Sequence, residues 1–149
     1  MIAQLNIARA IAALDSHIMA DFMDNLDKIN SLAEDSDGFV WRLLSEGSGN
    51  ATDIKLFDDP LVIVNLSVWR DVQSLHRFVY TSQHKEFVTR RHEWFEASEV
   101  PAFCLWELAD TDPMPSPQQA YDRLAHLRQH GPTATAFDWR SASGFIASP

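Results

Sequence analysis

Four stretches of the chain carry apolar residues in the short runs and alternations of β-strands: 2–8, 39–46, 61–69 and 102–108, each with β-branched or aromatic side chains. Between the first two, Ile18, Phe22, Leu26, Ile29 and Ala33 recur at spacings of three and four, which predicts an amphipathic helix from about His17 to Ser36. Asp21, Asp24, Asp27 and Lys28 fall on its opposite side, the pattern of a solvated face rather than of a metal cluster. After Trp69 a helical composition runs as far as Pro101. The order is β-α-β-β-α-β, a ferredoxin-like α+β plan with an antiparallel sheet. Strands two and three are joined by the segment 47–60, rich in turn formers and long enough to suggest a functional or mobile loop.

Successive strand residues point to opposite faces, so parity sorts each strand into two sides. In strand three Leu61, Ile63, Asn65, Ser67 and Trp69 share one side, against Val62, Val64, Leu66 and Val68 on the other. In strand one Gln4 and Asn6 oppose Leu5 and Ile7. A side that mixes amides, a hydroxyl and an indole with apolar residues has the make-up of a pocket wall. The wholly aliphatic side needs cover of its own. Helices in this plan cover one side of the sheet, so the other is expected to meet a second subunit, giving a homodimer.

The second helical region holds a further clue. On one continuous helix Val72, Leu75, Phe78 and Val79 form the apolar face, and His84 drifts away from it to solvent. Thr81 and Ser82, however, are good starts for a new helix. A second helix from about Ser82 to Ser98 has its own stripe of Phe87, Val88, Trp94 and Phe95, with His84 and Arg91 at its centre. An inward histidine and arginine need partners, either a ligand or hydrogen bonds within the protein.

One more helix follows, with Ser116 as N-cap, Pro117 at its first position and Gly131–Pro132 as its stop. The tail carries Phe137, Trp139 and Phe145 and is expected to pack on the domain or on a partner chain. The division is thus a domain over 1–110 and a helix with its tail over 111–149.

At 149 residues the chain has the length of one domain, and its apolar fraction of 46% and charged fraction of 22% are ordinary for a globular protein. The net charge of −9 disfavours nucleic acid as a partner. No apolar run approaches the ~20 residues that span a bilayer, and the first residues lack the basic start of a signal peptide. The single cysteine, Cys104, forms no intramolecular disulfide and fits a reducing cytoplasm, the expected location. Within "AFCLWEL" it reads as a small buried apolar residue before it reads as a nucleophile. The sequon at 50–52 carries no meaning without secretion.

The element order, the Asn65-x-x-x-Trp69 of strand three and the Tyr80-x-Ser82-x-His84 that follows resemble the dimeric α+β barrel superfamily, and within it the antibiotic-biosynthesis monooxygenase-like proteins. "AQLNIAR", "GFVWRL", "GNATDI" and "FVYTSQHKEFVTRRHEWF" are similar to an uncharacterised bacterial branch, a domain of unknown function, over residues 2–140 or so. The resemblance implies two sheets face to face across a dimer axis and a pocket in each subunit. It also implies catalytic roles for Asn65 and Trp69, which match the groups that hold an aromatic substrate and dioxygen in the cofactor-free monooxygenases, and for His84, which matches the iron-binding helix histidine of haem-degrading relatives and would serve here as the base. Arg91, Tyr80, Ser67, Asn6 and Trp41 are the expected substrate contacts. The chemistry implied is that of a monooxygenase acting without cofactor or metal on a small hydrophobic, aromatic or polyketide-type substrate of secondary metabolism. Haem held by His84, a non-redox cyclase or isomerase, and a binding dimer without catalysis remain alternatives. The last helix and aromatic tail have no counterpart in the named relatives.

Overall fold

The computed structural model describes residues 1–44 and 59–145. Most of the turn-rich segment and the whole sequon lie outside the described residues. Four strands, β1 (Ile2–Arg9), β2 (Phe39–Arg42), β3 (Val62–Trp69) and β4 (Phe103–Glu107), form one sheet in the order β2-β3-β1-β4. Every neighbouring pair is antiparallel, and Asn6 stands directly opposite Asn65 across the two inner strands. This is the expected α+β plan.

Helices α1 (Ala20–Glu34), α2 (Val72–Thr81) and α3 (His84–Thr89) line the polar side of the sheet. Helix α1 starts later than its apolar spacing predicts, because turns that bond back to Ala13 and Ser16 carry Met19 into the core. Ile18 is consequently left 46% exposed. The second helical region breaks at Ser82, as its sequence allows. Beyond α3 the helix expected to reach Ser98 gives way to one tight turn over Arg91–Glu93. The cause is competition for backbone bonds: Ile11 N–H bonds Trp94 C=O and Glu96 N–H bonds Arg9 C=O, so this stretch pairs with the end of β1.

Parity along β2 is reset by a bulge between Phe39 and Trp41. Phe39 faces Trp69, Trp41 then faces Val68, and Arg42 faces Ser67. An extra residue in one strand flips all later side chains to the other side. Trp41 therefore packs on the aliphatic cluster, and its expected role as a substrate contact is withdrawn. Arg42 takes the place on the polar side.

The aliphatic side is closed from within the chain. Ala3, Leu5, Val64, Leu66, Val68, Cys104 and Trp106 pack in one buried cluster with Ala120, Leu124 and Leu127 of α4 (Pro117–His130). Ser116 caps that helix in a reciprocal capping box with Gln119, and Gly131 ends it. The face expected to require a second subunit is thus covered by α4, and the inference of a partner from a bare face falls away. The tail then crosses the open edge of β4, where Phe137 and Leu105 exchange both backbone hydrogen bonds, at 2.8 and 2.9 Å. It ends in the short turn α5 (Ala142–Phe145), which joins the cluster on the polar side.

Candidate functional site

The mixed residues of β1 and β3 satisfy one another before they meet a ligand. Gln4 Nε2 donates to Asn65 Oδ1 and to Ser67 Oγ, both at 2.8 Å, and Trp69 Nε1 donates to Ser67 Oγ at 3.0 Å. Both acceptor positions of Ser67 are thereby used. Trp69, 1% exposed, lies stacked with Phe78 and edge-on to Phe39. Asn65 keeps its amide donors free of protein partners among the described residues. Although it sits on an inner strand it is exposed, so a cleft opens over the middle of the sheet.

That cleft has two lobes. One, of about 240 Å³, is walled by Ile29, Phe39, Trp69, Phe78, Tyr80, Phe103 and Trp139, with Ser67 at its floor. The other, of about 160 Å³, is walled by Phe22, Leu26, Ile63, Phe87 and Phe95. The residues common to both are Asn6, Asn30, Arg42, Asn65, His84, Val88 and Arg91, which define a polar waist between two apolar ends.

His84 reaches this waist because of Ser82. The Ser82 backbone is extended, its hydroxyl donates to the Phe78 carbonyl that ends α2, and the same oxygen accepts the His84 N–H at 3.1 Å. His84 Nδ1 lies 3.3 Å from the Val79 carbonyl. A carbonyl only accepts, so this bond places the proton on Nδ1 and leaves Nε2 bare in the neutral ring. Burial lowers the pKa of His84 from its ordinary value, opposed by the bond to Val79, and the imidazole is neutral at pH 7.

The cations of the waist differ. Arg42, on the polar side because of the bulge, is held by Glu34 at 2.6 Å. Arg91, exposed at the rim, has no carboxylate or hydrogen-bonded side-chain partner among the described residues, whereas Arg9, Arg70 and Arg90 are each paired. Tyr80, 36% exposed, contacts His76 and Trp139 at the far end of the larger lobe. Trp139 stacks on Phe103 at 5.2 Å, its backbone fixed by the Asp138–Ser141 turn and the Phe137 bridge. Cys104 is fully buried on the aliphatic side, its thiol pushed up to about 12 by burial, so it is no nucleophile. Among the described residues no three His, Cys, Asp or Glu side chains gather as a metal site, and no helix is long and apolar enough to cross a membrane.

The structure therefore brings Asn6, Asn65, Ser67, Trp69, Tyr80, His84 and Arg91 around one cleft and sends Trp41 elsewhere. Arg42, Asn30 and Trp139 join them unforeseen. Asn30 was legible, since it follows Leu26 by one helical turn on the stripe facing the sheet. Arg42 depended on the bulge and Trp139 on the path of the tail.

A four-stranded antiparallel sheet with α1, α2 and α3 on its polar side, α4 on its aliphatic side and a ligand-sized cleft beneath the first three defines a ferredoxin-like α+β protein. The chain belongs to the family described as Domain of unknown function (DUF3291), which matches residues 1–146. Its fold is similar to that of SnoaB, a cofactor-independent oxygenase from Streptomyces nogalater, at 17% identity over 75% of this chain and 96% of that one, with a TM-score of 0.50. A conserved protein from Methanosarcina mazei Go1 aligns at 14% identity over 72% and 92% of the two chains, with a TM-score of 0.52. The NE2512 protein of unknown function from Nitrosomonas europaea aligns at 14% over 77% and 94%, with a TM-score of 0.51. Identities this low speak for the fold alone. No curated protein matches the chain.

Proposed function

We propose that the chain is a small-molecule enzyme, an oxygenase that needs no bound cofactor, acting on an electron-rich aromatic or polyketide-type substrate. The observation that carries this reading is His84. Its fixed tautomer leaves Nε2 as a base between two apolar lobes. An acidic C–H or O–H of the substrate gives its proton to Nε2, and the resulting anion passes an electron to dioxygen. Recombination forms a peroxide on the substrate carbon, and loss of water leaves a carbonyl; the substrate is oxidised, and one dioxygen is reduced to that carbonyl oxygen and water. The free amide donors of Asn65 stabilise the developing oxyanion. Trp69 serves as a rigid apolar wall, its indole N–H already committed to Ser67. The fold shared with a cofactor-independent oxygenase is compatible with this chemistry.

The test is oxygen uptake by the purified protein with a panel of anthrones and hydroxynaphthoquinones. Uptake is expected, falling by about 10²- to 10⁴-fold in His84→Ala. Equal turnover without oxygen would replace the oxygenase with an isomerase or cyclase, and no turnover of any kind would leave a binding module. Haem is the second reading, favoured by the same bare Nε2 and the apolar space on both sides. Haemin added to the protein would then raise a Soret band that His84→Ala abolishes.

A further inference from the structure

The order of polar and apolar surface along the cleft says where a ligand carries its charge. An amphiphile with a terminal head group asks for a pocket that is apolar at one end and polar at the other. Here both ends are mainly apolar, the Gln4 and Ser67 side chains of the larger lobe being hydrogen-bonded to one another and to Asn65 and Trp69, and apart from Val88 every residue common to the two lobes is polar. Within that waist several groups have unused hydrogen-bonding capacity. Neither Asn6 nor Asn30 has a side-chain hydrogen bond within the protein among the described residues, and Asn65 uses only its oxygen. Among the described residues Arg91 beside them has no carboxylate partner, in a chain of net charge −9. The half-buried carboxamides of Asn6 and Asn30, the exposed one of Asn65 and the Arg91 guanidinium favour a planar oxyanion, which the Arg fork can hold by two parallel bonds.

We propose that the ligand is an elongated, largely aromatic anion whose ionised oxygens lie at its middle, seated on Arg91 and the asparagines of the waist, with one apolar arm in each lobe. A central carboxylate and the central enolate of a 1,3-dicarbonyl each present two oxygens that share one negative charge. The larger lobe, ending in Tyr80, Phe103 and Trp139, takes the wider arm. This rests on the reading of the cleft as a small-molecule site and adds the class of molecule.

Two isomeric probes separate the arrangements: anthracene bearing its carboxylate on the central ring, and anthracene bearing it on an end ring. They share formula, charge and apolar area, so only the position of the anion differs. Titration by calorimetry should show the central-ring isomer binding about tenfold tighter or better. Arg91→Gln, confirmed as folded by thermal melting, should abolish that preference while changing the affinity of the end-ring isomer by less than about threefold. Equal binding of the two, tighter binding of the end-ring isomer, binding of neither, or a preference that survives Arg91→Gln would each overturn the proposal. The readout is independent of turnover. Oxygen uptake without isomer preference sinks this inference alone, and isomer preference without uptake sinks the oxygenase alone.

Discussion

His84 owes its chemistry to where its two ring nitrogens lie. Nδ1 is tied to the Val79 carbonyl, so the ring cannot turn without losing that bond, and burial makes the protonated form costly. The sign of the pH effect follows. An unfolded imidazole binds its proton near the ordinary 6.5, while the folded one binds it only at lower pH. Stability is therefore full above that value and is lost as pH falls through the window beneath it, because the unfolded chain takes up the proton first. Proton NMR should place the His84 midpoint below 6.5, and urea midpoints of the native protein should decline on acidification more steeply than those of His84→Gln. If the proposed base role holds, the acidic limb of the rate profile should share that midpoint. A midpoint above 6.5 would remove His84 as a neutral base at neutral pH.

At the scale of elements, two small irregularities build the cleft. The β2 bulge delivers Arg42 to the polar side, and the extended backbone of Ser82 starts α3 in a direction that turns His84 inward. The turn between α1 and β2 meets the start of α2 at Gly38. Its φ is +89°, and a Cβ placed there would lie 2.2 Å from Ser74 Oγ near the start of α2. Its carbonyl also accepts the Arg70 N–H at 2.6 Å, immediately before the Asp71 cap of that helix. Replacement thus strains the backbone and pushes α2 away from the sheet. Gly38→Ala should cost about 2–4 kcal/mol in urea unfolding, since strain and overpacking act together. A loss under ~0.5 kcal/mol would mean that α2 shifts freely and that the cleft is not held by this junction.

Across the whole molecule, α4 and the tail change what each side of the sheet is for. Leu124, fully buried, and Leu127 sit against the aliphatic residues of β1, β3 and β4, and the chain after α4 returns over the β4 edge to place Trp139 on the cleft. Leu124→Asp would set a charge against that side with no partner, a loss expected to exceed about 4 kcal/mol. Light scattering of this variant should show self-association, because a released α4 bares a broad apolar sheet face. A soluble variant of unchanged size and stability would show that α4 is not the cover.

The alternation of β1 and β3, the stripe of α1, the helix break at Ser82 and the caps of α4 follow from neighbouring residues, so they are determined by the sequence alone. Each depends on periods of two or 3.6 and on hydrogen bonds a few positions away. The same reasoning locates Asn6, Asn65 and His84 on one side. What local pattern could not decide depends on chains that meet at long range. The bulge that exchanges Trp41 for Arg42 is a matter of pairing with β3, and the early end of the second helical region is a matter of pairing with β1. Above all, two surfaces could close the aliphatic side, a second copy or the chain's own last helix. Both satisfy the same apolar pattern, since burial has no direction. Only the tertiary path of α4 puts the chain's own last helix on that side, and the tail that follows carries Trp139 to the cleft.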